Sequence, residues 1–302
     1  MVFSGMVRKG IVFFVLLVCV APPLAAQIED QLSAYTGKNA TGYLQPLVDA
    51  IGANLNSGIF RSASIPKIGV NIRLEVQVMG VIFSDDDKTF NAITERGFIP
   101  EQSYPLAPTV VGSTKAAYFY KGGGTAVFPG GLDLHSLALA VPQLRIGAFY
   151  GTEAIFRYFS INAGDTDIGD IGLFGFGLRH SISQYLGPKL PVDLAAGFFW
   201  QKFTLGEDLI SSNAFSVGVQ ASKRFARFLV PYSGLSYDTF SMDVSYKNEA
   251  EDLDIDLNFD RMSTMRLTIG FLLNLPGLNV FGEYGIANQS SFSFGVGLGF
   301  GV

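Results

Sequence analysis

Asn71, Arg73, Glu75 and Gln77 stand two residues apart on one face of the segment 68–83, opposite Ile68, Val70, Ile72, Leu74, Val76, Val78 and Ile82. A cation, a carboxylate and two amides in one row suit either an internal hydrogen-bonded network or a constriction that selects solutes by charge. A second row, Asp254, Asp256, Asn258 and Asp260, alternates with Leu253, Ile255, Leu257 and Phe259 just after Glu249, Glu251 and Asp252. Carboxylates on one face can hold a hard divalent cation through oxygen. No glycine-containing calcium loop accompanies them, so a solvated mouth or extracellular tip is the plainer reading and no metal is expected. His180 adjoins Ser181 and lies near Ser183, but a strand turns alternate residues to opposite sides, leaving His180 with Leu178 and Ile182. His135 similarly shares a face with Leu137 and Leu139. With no serine, histidine and carboxylate constellation in view, the chain is expected not to be an enzyme. The single cysteine, Cys19, offers no disulfide or thiolate site, and no cofactor is expected.

The elements that position these residues are strands. Alternation over 68–83 is about three times the usual strand of roughly five to six residues. A strand with apolar side chains on one side and polar ones on the other suits the wall of a transmembrane barrel. Further alternating segments are 134–149, 152–161, 170–183, 192–203, 213–223, 228–246, 253–273, 278–287 and 290–302. The fold class is therefore all-β, a transmembrane antiparallel barrel of about 10–14 strands with a short N-terminal helix. Ten strands with both barrel termini periplasmic place short turns at 150–151, 184–191, 224–227 and 274–277. The longer connections 84–133, 162–169, 204–212 and 247–252 then face outward. The segment 84–133 is long enough to hide another hairpin around 114–128, which would raise the count to twelve or, with more hidden pairs, fourteen. Around Pro142 the apolar phase flips from Leu137, Leu139 and Val141 to Leu144, Ile146 and Ala148, which predicts a bulge. Tyr150, Tyr158, Trp200 and Tyr246, near strand ends, fit an interfacial girdle.

The first 26 residues read as an export signal: basic Arg8 and Lys9, an apolar run over 11–20, then small residues ending in Ala25-Ala26. Three parts follow: 1–26 as signal, 27–65 as a periplasmic or lumenal segment with a helix, and 66–302 as the outer-membrane barrel. The helix is expected over 41–55, where Leu44, Leu47, Val48 and Ile51 fall on one face. It is a periplasmic tether or cap, or else a plug inside the lumen. The last strand sets Phe292, Phe294, Val296, Leu298, Phe300 and Val302 against Ser291, Ser293 and four glycines, a nearly bare lumen wall that would accommodate a plug. With 21 basic against 26 acidic residues, the chain lacks the charge of a nucleic-acid binder.

Tyr43-Leu44-Gln45-Pro46-Leu47, Ala53-Asn54-Leu55-Asn56-Ser57-Gly58, Val141-Pro142-Gln143-Leu144, Gly151-Thr152-Glu153 and the run from Gly169 to Ile182 together resemble an uncharacterised family of bacterial outer-membrane proteins. More loosely, the chain is similar to FadL-like barrels, which pass long-chain fatty acids and other hydrophobic compounds. The resemblance implies an N-terminal segment in the lumen and passive, ligand-gated passage. The expected location is the bacterial outer membrane. The expected function is passive transport of small hydrophobic molecules, with a non-transporting structural or interaction barrel that displays its loops as the alternative. Expected partners are outer-membrane lipids, a hydrophobic small molecule and the barrel assembly machinery that reads the C-terminal strand; nucleic acid is not among them.

Overall fold

The computed structural model describes residues 35–301 apart from 36, 95–97, 99, 123, 162–169, 187–189, 207–208, 226–227 and 249–252. The expected signal therefore lies outside the described residues. The chain opens with helix α1 (Gly37–Leu55) and enters the wall at β1 (Asn71–Ile82). Two hairpins follow, β2 (Thr89–Ile93) with β3 (Ser103–Pro108) and β4 (Ala117–Lys121) with β5 (Gly124–Phe128). Then come β6 (Ser136–Phe149), β7 (Thr152–Ile161), β8 (Ile171–Ser181), a single helical turn α2 (Ser183–Leu186), β9 (Asp193–Leu205) and β10 (Ile210–Ser222). The last four strands are β11 (Leu229–Asn248), β12 (Leu253–Leu275), β13 (Leu278–Ile286) and β14 (Ser291–Gly301).

Ten strands, β1 and β6 to β14, form a closed antiparallel barrel, sealed where β1 pairs with β14 from Asn71↔Gly301 to Gly80↔Phe292. The hairpin suspected near 114–128 exists as β4–β5, with β2–β3 beside it, but neither joins the wall. β1 and β6 pair directly from Asn71↔Gly147 to Ile82↔Ser136, which leaves no place between them for another strand. The two hairpins instead make a cap, tied together by Tyr104 stacked on Phe128 and edge-on to Phe119. The twelve- and fourteen-strand counts are thereby corrected to ten.

Outward positions carry Leu74, Val76, Val217, Val219, Leu267, Ile269, Phe271, Val296 and Leu298, all exposed. Apolar side chains at this density facing away from a barrel are stable only against lipid. The wall is that of an outer-membrane protein, with its short turns on the periplasmic side and the cap on the outer side.

The bulge expected at Pro142 is absent, since β6 holds its register with β1 straight through Val76↔Pro142. Leu137, Leu139, Val141, Gln143 and Arg145 all face the lumen in one unbroken phase. What changes at Pro142 is the lumen, apolar above and ionic below, so the hydrophobic signal jumps between faces while the backbone does not. A true irregularity lies between β11 and β12, where the register shifts between Phe240 and Met242. Below it Met265, Leu267 and Ile269 are exposed to lipid; above it Asp256, Asn258 and Asp260 are exposed while Leu257 and Phe259 are buried. The extra residue in β12 marks the level where lipid gives way to water.

Candidate functional site

Helix α1 lies inside the outer half of the barrel with its first turns under the cap. The Val110 backbone amide donates to Tyr43 O, and the Tyr43 hydroxyl donates to Gly130 O at 3.0 Å. Burial holds the Tyr43 phenol well above its ordinary pKa. Lower down, Asn54 donates to Leu137 O, and Gly52 admits the Phe240 ring, which would lie 2.7 Å from an added Cβ. The helix packs on Met79, Val81, Val141, Phe159, Leu173 and Phe240 of the wall. An α-helix with side chains is about 10–12 Å across, and eight-stranded barrels are already filled by side chains alone. Ten strands therefore leave room for little besides the helix.

After Leu55 the chain runs down the lumen without regular structure and meets arginines from successive strands. Arg157, fully buried, donates to Leu55 O at 3.0 Å and to Ser57 O at 2.6 Å, with Nε on Gln143 at 2.8 Å. Gln201 also donates to Leu55 O. Arg145 donates to Ile59 O at 2.8 Å while pairing with Glu75 at 3.1 Å and Glu153 at 2.9 Å. Arg179 reaches Ser62 O at 3.3 Å and Glu153 at 2.7 Å. The segment answers with its own cation, Arg61, which bonds Glu75 at 3.1 Å and Gln77 at 3.0 Å and stacks 3.3 Å above the Phe281 ring. Glu283 lies 3.7 Å from Arg61 and accepts the Gly58 amide at 2.5 Å and the Tyr232 hydroxyl at 3.0 Å. Gly58 holds φ +72°, and a Cβ there would meet the Gln77 carboxamide at 2.5 Å, so both the turn and the close approach require glycine.

Near the outer mouth, burial raises the Asp49 pKa; the hydrogen bond from Gln45 opposes the rise and the nearby Asp87 carboxylate of the cap adds to it. At the periplasmic end, the Ala63 amide donates to Ser222 Oγ at 2.8 Å, and the Tyr150 and Gly151 amides donate to Lys67 O and Pro66 O.

The sequence-derived residues are distributed over both layers. Glu75 and Gln77 are buried within the ionic layer, while Asn71 and Arg73 lie on the same face nearer the periplasmic rim, partly exposed. Leu44 and Val48 are buried, with Leu47 and Ile51 packed beside them in the apolar layer. The segment in the lumen is longer than the helix and continues as an extended strap to Ile65. Arg61, Arg145, Arg157 and Glu283 carry no signal in the sequence reading, and Glu153 and Arg179 enter it only within the motifs of the family resemblance, although Arg145, Arg157 and Arg179 each occupy an inward position of a legible strand. The lumen glycines of β14 give room to neighbours: a Cβ at Gly295 would lie 2.6 Å from Phe281, at Gly297 2.8 Å from Glu75, and at Gly299 2.6 Å from Arg73. Asp256 accepts a hydrogen bond from Ser245 at 2.7 Å and Asn258 donates to Asp243; the Asp254 side chain lies outside the described residues. Among the described residues no cluster suited to a metal occurs. His180 faces outward, bonding Thr152 and Tyr185 at 2.9 Å each, and His135 is exposed beside Asp133 O.

A model for a family of unknown function, DUF6588, matches residues 7–300. No curated protein matches the chain. Solved structures that resemble it include a loop-deletion form of OmpT, an outer-membrane protein of Vibrio cholerae, at 11% identity and a TM-score of 0.29, covering 76% of this chain and 98% of that one. Another is the outer-membrane protease OmpT of Escherichia coli, at 8% identity and 0.36, covering 78% and 98%. A third is the translocator domain of the autotransporter NalP of Neisseria meningitidis, at 11% and 0.30, covering 86% and 99%. The FadL-like resemblance finds no support among these. The expectation that the chain is not an enzyme is corrected, because an outer-membrane protease stands among its structural neighbours. At these TM-scores the likeness carries no residue role or activity across.

Proposed function

The chain belongs to the family of unknown function DUF6588, and from its geometry we propose that it is a gated outer-membrane passage for small apolar molecules, shut at rest by residues 35–65. The observation that carries this reading is the two-layer lumen. In the outer layer α1 rests on aliphatic and aromatic wall residues, and an apolar solute can exchange for that contact because the hydrophobic effect is non-directional. In the inner layer the strap is held by directional ionic contacts, which make a seal. Capture against the apolar outer layer, in exchange for α1, and release past the strap are then separate steps.

The test is single-channel conductance and uptake of the apolar dye N-phenylnaphthylamine by the full chain and by a variant lacking 35–65. A deletion confined to 41–55 leaves the strap and Arg61 in place and is expected to stay closed. Conductance and dye uptake only without 35–65 support the passage; a closed, heat-modifiable barrel that stays silent without 35–65 refutes it. One observation favours the display reading in that case: Tyr118 and Tyr120 stand exposed and parallel on the cap, with ring centroids 6.4 Å apart.

A further inference from the structure

Arg157 is the odd cation among the buried arginines around the strap. Its neighbours Arg61, Arg145 and Arg179 each reach a carboxylate, whereas among the described residues no carboxylate lies within ion-pair distance of Arg157. A buried charge without a counter-charge is costly unless something else carries the opposite sign. Here that something is the end of a helix. Leu55 is the last residue of α1, its carbonyl is one of the four left without an intrahelical partner, and the helix terminus carries roughly half a negative charge. Arg157 and Gln201 both point donors at that oxygen, Arg157 also takes Ser57 O, and Arg145 takes Ile59 O two residues on. The carbonyl oxygens of the strap stand where the oxygens of an anion would stand. Behind the guanidinium, the Phe199 ring lies 4.8 Å away and fixes its plane.

We propose that Arg157, supported by Gln143 and Gln201, is an anion site that the carbonyls of Leu55, at the end of α1, and Ser57, just beyond it, occupy at rest, so that the barrel without its plug selects anions. The proposal deepens the passage reading and rests on it. Withdrawal of the strap removes Arg61 and the carbonyls together. The wall then presents Arg73, Arg145, Arg157 and Arg179 against Glu75, Glu153 and Glu283. Arg145 and Arg179 retain Glu153, Glu283 retains the Tyr232 hydroxyl, and only neutral amides remain beside Arg157. Of the two arginines in this set for which no ion pair is seen among the described residues, Arg73 is partly exposed at the periplasmic rim and Arg157 is fully buried, so Arg157 is the uncompensated cation inside the lumen.

The experiment is the reversal potential of the barrel lacking 35–65 in a potassium chloride gradient, with Arg157→Gln and Arg157→Lys in the same background. The expected result is a reversal potential displaced toward that of chloride, moved to zero or beyond by Arg157→Gln and kept by Arg157→Lys. Inorganic phosphate is expected to reduce chloride current in the parent and not in Arg157→Gln. A potential on the potassium side, or one unmoved by Arg157→Gln, overturns the anion site and leaves the passage standing. Should the folded barrel prove silent, the passage reading fails, and chloride-35 line broadening by the same barrels in detergent decides the site: broadening lost in Arg157→Gln supports it, equal broadening overturns it. If the deletion does not yield a heat-modifiable barrel, the full chain with Arg61→Ala carries the same measurements.

Discussion

Replacement of Arg61 by alanine in the full chain is the sharpest probe of what holds the lumen shut. The side chain is 1% exposed and makes contacts to Glu75, Gln77 and the Phe281 ring, with Glu283 slightly farther. Breaking one partner out of a buried ion pair costs roughly 3–5 kcal/mol, because the other charge stays behind. Here the charges left behind are partly compensated. Glu75 keeps Arg145 at 3.1 Å and Gln143 at 3.0 Å, and Glu283 keeps Tyr232 at 3.0 Å. The loss therefore belongs at the lower end, about 3 kcal/mol, with the cation–π contact included in that figure. Such a change raises the fraction of barrels with the strap undocked by about two orders of magnitude. Open probability in planar bilayers reads it directly, and Arg61→Lys, which keeps charge without the planar fork, is expected to fall between. A rise in Arg61→Ala of less than about threefold, equivalent to about 0.6 kcal/mol, would refute the view that this network is the latch.

Three further outcomes are expected. Asp49 has a raised pKa in the docked helix, so docking favours its protonated form: that contribution is fully present below the ordinary carboxylate range and is lost as pH rises through the raised value. Open probability is expected to climb from acid to neutral pH in the parent and to lose that slope in Asp49→Asn. Gly295→Val places a Cβ 2.4 Å from Val76 O and 2.6 Å from Phe281, and overpacking there costs about 1–3 kcal/mol; the heat-modifiable fraction on gels should drop, and an unchanged fraction counts against the tight β1–β14 seam. In a Cys19-free background, Lys38→Cys should react with an impermeant maleimide on intact cells and Ser64→Cys only after the outer membrane is opened; the reverse pattern would invert the assigned orientation.

The wall was legible in the sequence because lipid enforces a two-residue period on every strand. Thr152–Ile161 was bounded to the residue, and the other wall strands to within about three residues at either end. Pro142 shows where that logic misleads. Periodicity reports the polarity of both faces, and when the lumen itself turns from apolar to ionic the pattern looks like a shifted backbone. The cap hairpins were only half visible, since the length of 84–133 signals a hidden strand pair near 114–128 without saying which sheet receives it. The plug was harder still. Leu44, Leu47, Val48 and Ile51 give a helix, but nothing local tells a periplasmic tether from a lumenal one, and Arg61 lies in an irregular stretch where no period applies. Its partners Glu75 and Glu283 are far apart in sequence and meet only because the barrel closes.

That closure has a mechanical side. The first and last wall strands meet along a line where β14 shows the lumen mostly glycine, so side chains of β14 contribute almost nothing to fastening the join from within. Arg61 straddles that line, reaching Glu75 on β1 to one side and Glu283 and Phe281 on β13 to the other. The strap is thus a rivet: the residue that is buried among the lumen charges also staples the circumference at its barest point, and a barrel emptied of its strap is expected to part first between β1 and β14.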